Sequence, residues 1–308
     1  MRVLHLADTH LGAWLRAHGA PEGWSRAEEH AAAFELALTP ALRGEVDLVV
    51  HGGDLFDSRT PSRKLVRWTA DLLAQVSSRV PMVLIPGNHD PAALLRVFRM
   101  PPTGMHIVDA PVRLRFGDLA IAAVPFKRSE QGFERAAATA VGPGADVLLM
   151  HQAVSGCKVP RFTFRVGSPA GTIGVEHLPD GPRWAMGGHL HPRQQVRVGD
   201  LEVVYPGAVV RTAAAEGSEP KGYALWEFGR RVRWHFVDLP GRPFTIVRNE
   251  RDLDAVAADQ LVRVSNQDHY TELFHAARAR GAWVVGRGAH DPGRERKPWR
   301  PQQKLFGG

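Results

Sequence analysis

One cysteine, Cys157, is all the thiol chemistry in this chain of 308 residues. That excludes a disulfide framework and a structural zinc site built on thiolates. No apolar run approaches the ~20 residues that a membrane-spanning helix needs. Met1 leads straight into RVLHLAD without a secretory apolar segment, so a cytoplasmic protein with no membrane partner is expected. No internal repeat is found, which removes solenoids and propellers. Acidic residues are outnumbered, 32 Asp+Glu against 39 Lys+Arg, leaving a net charge of +7. Six basic and two acidic residues fall in the last stretch, Arg287 to Gly308, so most of the excess sits there. Charge of this kind permits an anionic polymer as substrate without establishing one. A hydrophobic content of 44% suits one large globular domain with at most a small appendage.

What is present reads as alternating strands and helices. RVLHLAD, VDLVVHGGD, VPMVLIPGNHD, DVLLMHQ and RWAMGGHLH have the length and branched content of buried strands, and each carries His, Asp or Asn at or beside its end. Between the first of them lie helical patterns. One opens at Ser25-Arg26-Ala27-Glu28 with a capping-box signature and runs to about Leu38; a second spans Ser62 to Val76. Three later segments, VRLRF-GD-LAIAAVPF, QQVRV-GD-LEVVYPG and YALWEF-GR-RVRWHFV, read as hairpins with two turn residues each. The expected fold is therefore α/β, with two facing mixed β-sheets flanked by helices. After Pro240 the pattern changes to LVRVS, a helix from about Asp268 to Arg280, and AWVVG, a small C-terminal β-α-β cap. The expected organisation is a main domain over 1–240, a cap over 241–286, and a basic tail over 287–308, rich in Pro, Gly and Arg and expected to be disordered.

The strand ends carry the chemistry. IPGNHD places Asn88, His89 and Asp90 behind an apolar run ending in a Pro-Gly turn. Such a triplet is either a turn or a site, since Asn and Asp also stabilise tight turns. Taken with Asp8 and His10, Asp54, His151, and His189 and His191, it becomes a pattern. Five strand ends would have to place metal-ligand side chains at one rim by chance. In D-x-H and H-x-H at a strand end, alternation points both side chains the same way, so one ion can be clasped by residues i and i+2. Carboxylate, imidazole and amide donors suit Mn²⁺, Fe²⁺ or Zn²⁺, and the number of donors suits two ions rather than one. His5, His51, His177 and His235 are read as ordinary polar residues, and Cys157 as a packing or loop residue.

In order and spacing, DTH (Asp8 to His10), GGD (Gly52 to Asp54), GNHD (Gly87 to Asp90), His151 and GHLH (Gly188 to His191) resemble the calcineurin-like metallophosphoesterase superfamily, across about residues 1 to 240. Within it, HLADTHLG, GGDLFDSRTPS, GHLHPRQQV, YPGAVVRTAAAE and KGYALWEF look like the nuclease subunits of bacterial SbcCD-type DNA-repair complexes. The resemblance implies a four-layer sandwich. It implies one ion held by Asp8, His10, Asp54 and His191, and a second by Asp54, Asn88, His151 and His189, with Asp54 as the bridge. His89 would protonate the leaving oxygen, Asp57 of DLFD would orient His89 or else cap its loop, and Asp90 would shape the turn. The protein phosphatases of the superfamily carry Asp-Arg-Gly where Ser58 here precedes Arg59, which lowers the phosphatase reading.

The expectation is a DNA nuclease, exonuclease or endonuclease, using two divalent ions, Mn²⁺ first with Fe²⁺, Zn²⁺ or Mg²⁺ as alternatives. DNA, an SbcC-like ATPase subunit and a second copy of the chain are the implied partners. Arg59 and the tail residues Arg294, Arg296, Lys297 and Arg300 are the candidate DNA contacts. A phosphodiesterase or phosphatase for small molecules is the competing enzyme, and a DNA-binding scaffold the competing non-enzyme.

Overall fold

The structure is a computed structural model, and it describes residues 1–89, 101–158 and 171–285. Asp90, Arg294, Arg296, Lys297 and Arg300 lie outside the described residues.

Two six-stranded sheets organise the chain, with strands numbered in chain order. The first runs β15 (Arg233–Leu239), β14 (Lys221–Glu227), β1 (Arg2–Leu6), β3 (Leu48–His51), β4 (Met82–Leu84), β5 (Met105–Ile107). The second runs β12 (Gln194–Val198), β13 (Leu201–Tyr205), β11 (Trp184–Gly188), β8 (Val147–His151), β7 (Leu119–Val124), β6 (Val112–Phe116). Both are mixed: β1, β3, β4 and β5 are parallel neighbours, as are β7, β8, β11 and β13, while β6, β12 and β14 pair antiparallel.

Strand alternation explains why both faces are apolar. Val3, Val50, Val83 and Ile85 point inward to meet Ile121, Val147, Leu149 and Met186 of the second sheet. Their neighbours Leu4, Leu6, Val49 and Leu84 point outward to α1 (Arg26–Leu42) and α2 (Arg63–Ser77), which present Phe34, Leu38, Leu73 and Val76. On the far side, Leu148 and Met150 meet Phe133 and Ala137 of α3 (Glu130–Val141). Each fully buried aliphatic side chain contributes about 1.5–3 kcal/mol, so the sheets are fixed face to face by these layers. The result is the expected helix, sheet, sheet, helix sandwich. A short parallel pair, β9 (Ala153–Val154) with β10 (Thr172–Ile173), stands beside it.

Some local expectations change. Helix α1 continues to Leu42, past the expected Leu38, and Ser25 has the extended backbone of an N-cap without a side-chain capping bond. Ser62 does cap α2, accepting from Leu65 N at 3.2 Å. Two hairpins close with the two expected turn residues, but Glu227 pairs with Arg233, leaving Phe228 to Val232 as a longer connection. The reason is that Phe228 N donates to Met1 O at 2.7 Å and the Phe228 ring stacks on Trp226, which ties Phe228 to the start of the chain rather than to β15.

The C-terminal region forms a four-stranded sheet in the order β16 (Phe244–Val247), β17 (Leu261–Val264), β18 (Trp283–Val285), β2 (Ala17–His18), with α4 (Tyr270–Ala279) packed on it through Leu273 and Ala277. This is larger than a bare β-α-β unit. The edge strand β2 comes from the loop after the first strand, and Leu15, Ala17 and Trp24 join Phe244, Leu261 and Trp283 in one apolar cluster. No helix among the described residues is long and apolar enough to cross a membrane.

Candidate metal centre

The parallel strands of both sheets end at one rim, and the motif residues leave from those ends, as is usual for ligand sites in α/β sheets. The motifs are interlocked by backbone bonds. Asp8 N donates to Gly53 O at 2.9 Å, His10 N to Asp54 O at 3.0 Å, and Ile85 N to His51 O at 3.2 Å. Each central carboxylate then accepts an amide from another motif: Asp8 from His189 N at 3.0 Å, and Asp54 from His89 N at 2.8 Å.

Backbone strain is concentrated here. The described non-glycine residues with positive φ are Asp8 (52°), His10 (43°), Asp54 (55°), His189 (90°) and Asp259 (60°). Four of these five are expected ligands, and left-handed geometry costs a non-glycine residue on the order of 1–3 kcal/mol, which only a strongly determined site sustains. The glycines of the motifs serve the same packing. Gly53 has φ 99°, and a Cβ there would press into the His151 ring; a Cβ on Gly87 would collide with the Asp54 carboxylate.

The imidazoles share one orientation. His151 Nδ1 donates to Gly52 O at 2.6 Å, turning Nε2 to Asp54 Oδ2 (3.4 Å) and Asn88 Oδ1 (3.2 Å). His10 Nδ1 faces Asp57 Oδ1 at 3.5 Å, and its Nε2 lies 3.8 Å from Asp54 Oδ2. His191 Nδ1 meets Thr212 Oγ1 at 2.6 Å and Glu216 Oε1 at 3.2 Å. His89 Nδ1 donates to the Asp57 carbonyl at 3.0 Å. His89, His151 and His191 therefore have Nδ1 tied outward by hydrogen bonds, and His10 Nδ1 faces a carboxylate, an arrangement familiar from metal-ligating histidines with a partnered far nitrogen.

Three groups of donors converge closely enough to hold an ion: Asp8, His10 and His191; Asp54, His151 and His189; and His10, Asp54 and His89. The first two fall within the two ligand sets implied by the resemblance. The third adds His89, which the sequence reading keeps free of metal. The donor chemistry fits divalent cations. His10 Nε2 and His191 Nε2 face one another at 3.1 Å, close enough for one cation, a proton in the metal-free protein, to lie between them.

The electrostatics agree. Burial disfavours charge on His10, yet the Asp57 hydrogen bond and the charges of Asp54, Asp57 and Asp8 outweigh it and raise its pKa to about 9. His151 is likewise pushed up to about 9, burial being overcome by the charge and hydrogen bond of Asp54, then by Asp8 and the Gly52 carbonyl. Burial raises the Asp8 carboxyl. Asp54, although buried, is held well below the ordinary carboxylate range by His151 first and then His10 and His89. A site that raises two buried imidazoles this far offers a strong negative potential to any cation.

One expected role is corrected. The carboxylate of Asp57 does not orient His89; its backbone carbonyl does, while the carboxylate faces His10. Asp57 N donates to Leu11 O at 3.1 Å, which holds the residue beside the Asp8–His10 loop. Arg59 is exposed at the rim and donates from Nη2 to Asn88 O at 3.4 Å.

Several supporting residues carried no recognisable role in the sequence. His51 Nδ1 accepts from Gly53 N at 3.2 Å, so its Nε2 donates to Thr9 Oγ1 at 3.1 Å, and Thr9 passes its own proton to Leu55 O at 3.1 Å. His30 of α1 donates from Nδ1 to Thr9 O at 2.8 Å. Burial lowers both His30 and His51 to about 3, so they brace the loop as neutral rings. Behind His191 stand Thr212, Glu216 and Lys221, in the stretches RTAAAE and KGY, where the only sequence signal was resemblance.

Comparison with known proteins extends this geometry. The family model described as calcineurin-like phosphoesterase matches residues 1–193. The chain belongs to the calcineurin-like phosphoesterase family. Within curated proteins it is similar to the DNA double-strand break repair protein Mre11 of Methanosarcina mazei, 28% identical over 285 residues, covering 89% of this chain and 43% of that protein. It is also similar to the SbcD subunit of the nuclease SbcCD of Rhodobacter capsulatus, 29% identical over 300 residues, covering 80% of this chain and 71% of that one. The chain thus spans less than half the length of the Mre11 relative. Among solved structures, TT1561 of Thermus thermophilus shares the fold at a TM-score of 0.50 and 15% identity, over 76% of this chain and 98% of that one. The phosphoesterase motifs all lie within the matched residues.

Proposed function

We propose that this phosphoesterase is a two-metal DNA nuclease of a break-repair complex, SbcD-like, cleaving phosphodiester bonds. The observation that carries the reading is the inward convergence of Nε2 atoms from His10, His89, His151 and His191 around the Asp8 and Asp54 carboxylates. Asp8, His10, Asp54 and His191 would hold one ion, and Asp54, Asn88, His151 and His189 the other; Mn²⁺ suits this mixed donor set. When bound, such a pair neutralises phosphate charge and acidifies water.

The chain's own residues supply the rest. His89 has its Nδ1 committed to a carbonyl, which can only accept, so it can release a proton from Nε2 only as an imidazolium. Arg59, exposed beside Asn88, would meet phosphate at the rim. Arg294, Arg296, Lys297 and Arg300 would extend that contact, each neutralised phosphate adding a log–log salt slope of about −0.9. We assign 1–240 to the nuclease domain, 241–286 to a cap and 287–308 to a basic tail, with an SbcC-like ATPase as partner and the cytoplasm as location.

The test is incubation of Mn²⁺-loaded protein with labelled linear DNA and, separately, with a chromogenic phosphodiester. Metal-dependent DNA cleavage is expected. Hydrolysis of the small ester alone would replace this reading with a small-molecule phosphodiesterase, and binding of DNA without any hydrolysis would replace it with a scaffold.

A further inference from the structure

Of the imidazoles turned to the centre, His191 has the most elaborate support. Its Nδ1 faces two acceptors, Thr212 Oγ1 at 2.6 Å and Glu216 Oε1 at 3.2 Å. The Thr212 hydroxyl has one proton, and it lies 2.6 Å from Glu216 Oε1, a pure acceptor when ionised. Thr212 therefore donates to Glu216 and accepts from His191, which fixes the His191 proton on Nδ1. Glu216 Oε1 also accepts from the amides of Thr212 and Ala213, each at 3.1 Å. Its other oxygen lies 2.6 Å from Lys221 Nζ, and that ammonium in turn donates to the His191 carbonyl at 2.9 Å. Both charged side chains are 1% exposed.

A buried Glu–Lys pair adds little to stability over an apolar pair of the same shape. Here it grips His191 from two sides, the ring through Glu216 and the backbone through Lys221. Short-range structure alone does not ask for this: the connection from Gly207 to Lys221 could close over apolar side chains, and Ala213, Ala214 and Ala215 already do so in part.

We infer that Glu216 is a positioning residue for metal binding at His191, holding the ring in its Nδ1–H form with Nε2 presented to the centre, and that Lys221 anchors Glu216 and the His191 backbone. This rests on the two-metal reading above. Removing such a partner behind a ligating histidine typically costs about 10–100-fold in metal affinity. Only the ion served by His191 should feel it. The ion served by His151 and His189 should not, because His151 takes its orientation from the Gly52 carbonyl.

The experiment compares full-length wild type, Glu216→Gln and the double variant Glu216→Gln/Lys221→Met. Mn²⁺ binding is followed by titration calorimetry and metal analysis, thermal stability by Tm, and the His191 Nδ1–H by ¹⁵N-histidine NMR of the metal-free protein. Glu216→Gln should bind one Mn²⁺ as wild type does and the other roughly 10–100-fold more weakly, with the His191 Nδ1–H signal shifted or lost. It should also lower Tm by leaving buried Lys221 with only the half-exposed Glu219, 3.7 Å away, as counter-charge. The double variant should recover Tm, since no charge is left buried alone, yet keep the weak ion. Recovery of affinity together with Tm would overturn the inference and make the pair structural, and so would full affinity for both ions in Glu216→Gln. Wild type that binds fewer than two ions would instead defeat the two-metal reading on which the inference stands.

Discussion

Proton release on metal binding gives the sharpest quantitative test of the centre. In the metal-free protein His10 and His151 are raised from 6.5 to about 9, so at pH 7 both hold their second proton. Metal must displace those protons. With one pKa unit worth 1.36 kcal/mol, freeing each ring at pH 7 costs about 2.7 kcal/mol, roughly a hundredfold in apparent affinity per histidine. The two share Asp54 and Asp8 and titrate as a coupled pair, so the total matters rather than the split. Calorimetry with Mn²⁺ in buffers of different ionisation enthalpy should report about two protons released at pH 7, declining towards none above pH 9. Stability of the metal-free protein carries the opposite dependence. A folded pKa above the unfolded one contributes stability that is complete below about 6.5 and is lost as pH rises through about 9. The metal-free Tm should therefore fall between pH 6.5 and 9, and Mn²⁺ should raise Tm most at the alkaline end. Release of no protons at pH 7, with a flat metal-free Tm, would refute the electrostatic account of the site.

Other substitutions separate the roles of neighbouring residues. Asp54→Asn should lose bound metal and activity together, checked by elemental analysis beside turnover, because Asp54 Oδ2 lies 3.8 Å from His10 Nε2 and 3.4 Å from His151 Nε2, one ring from each ligand set; two ions and normal turnover would reject it as the bridge. His89→Ala should keep two ions while DNA cleavage falls about 10²–10⁴-fold, the usual span for a general acid. Loss of an ion would instead favour the donor group that joins His89 to His10 and Asp54. Asp57→Asn should weaken metal binding through His10, read by metal titration, while His89 stays held by the unchanged carbonyl. Gly87→Ala should reduce metal content as strongly as a ligand change, because its methyl would displace the Asp54 carboxylate.

Apolar runs and motif spacing were enough to specify the layers and to single out the side chains that gather at the rim. Near-continuous apolar runs in RVLHL, LVVH and VLLMH specify strands buried on both faces, which calls for layers packed on either side of each sheet. Asp8, His10, Asp54, Asn88, His151, His189 and His191 could be singled out because metal-ligand side chains are rare at so many consecutive strand ends. Periodicity also located α1, α2 and α4, though not the length of α1, and left α3 unassigned. What it could not express is the direction of a polar atom within a loop. Whether the Asp57 carboxylate or its carbonyl meets His89 is decided only in the fold, where Asp57 N is held by Leu11, outside its own motif. The addition of Ala17–His18 to the C-terminal sheet depends on pairing with Val284 and Val285, far along the chain. Glu216 and Lys221 read as two ordinary charges until folding brings Lys221 of β14 beneath His191. The motifs fix which donors face the centre, because composition and strand period are local. Tertiary structure decides which nitrogen each ring presents, because the partner behind the ring comes from another part of the chain.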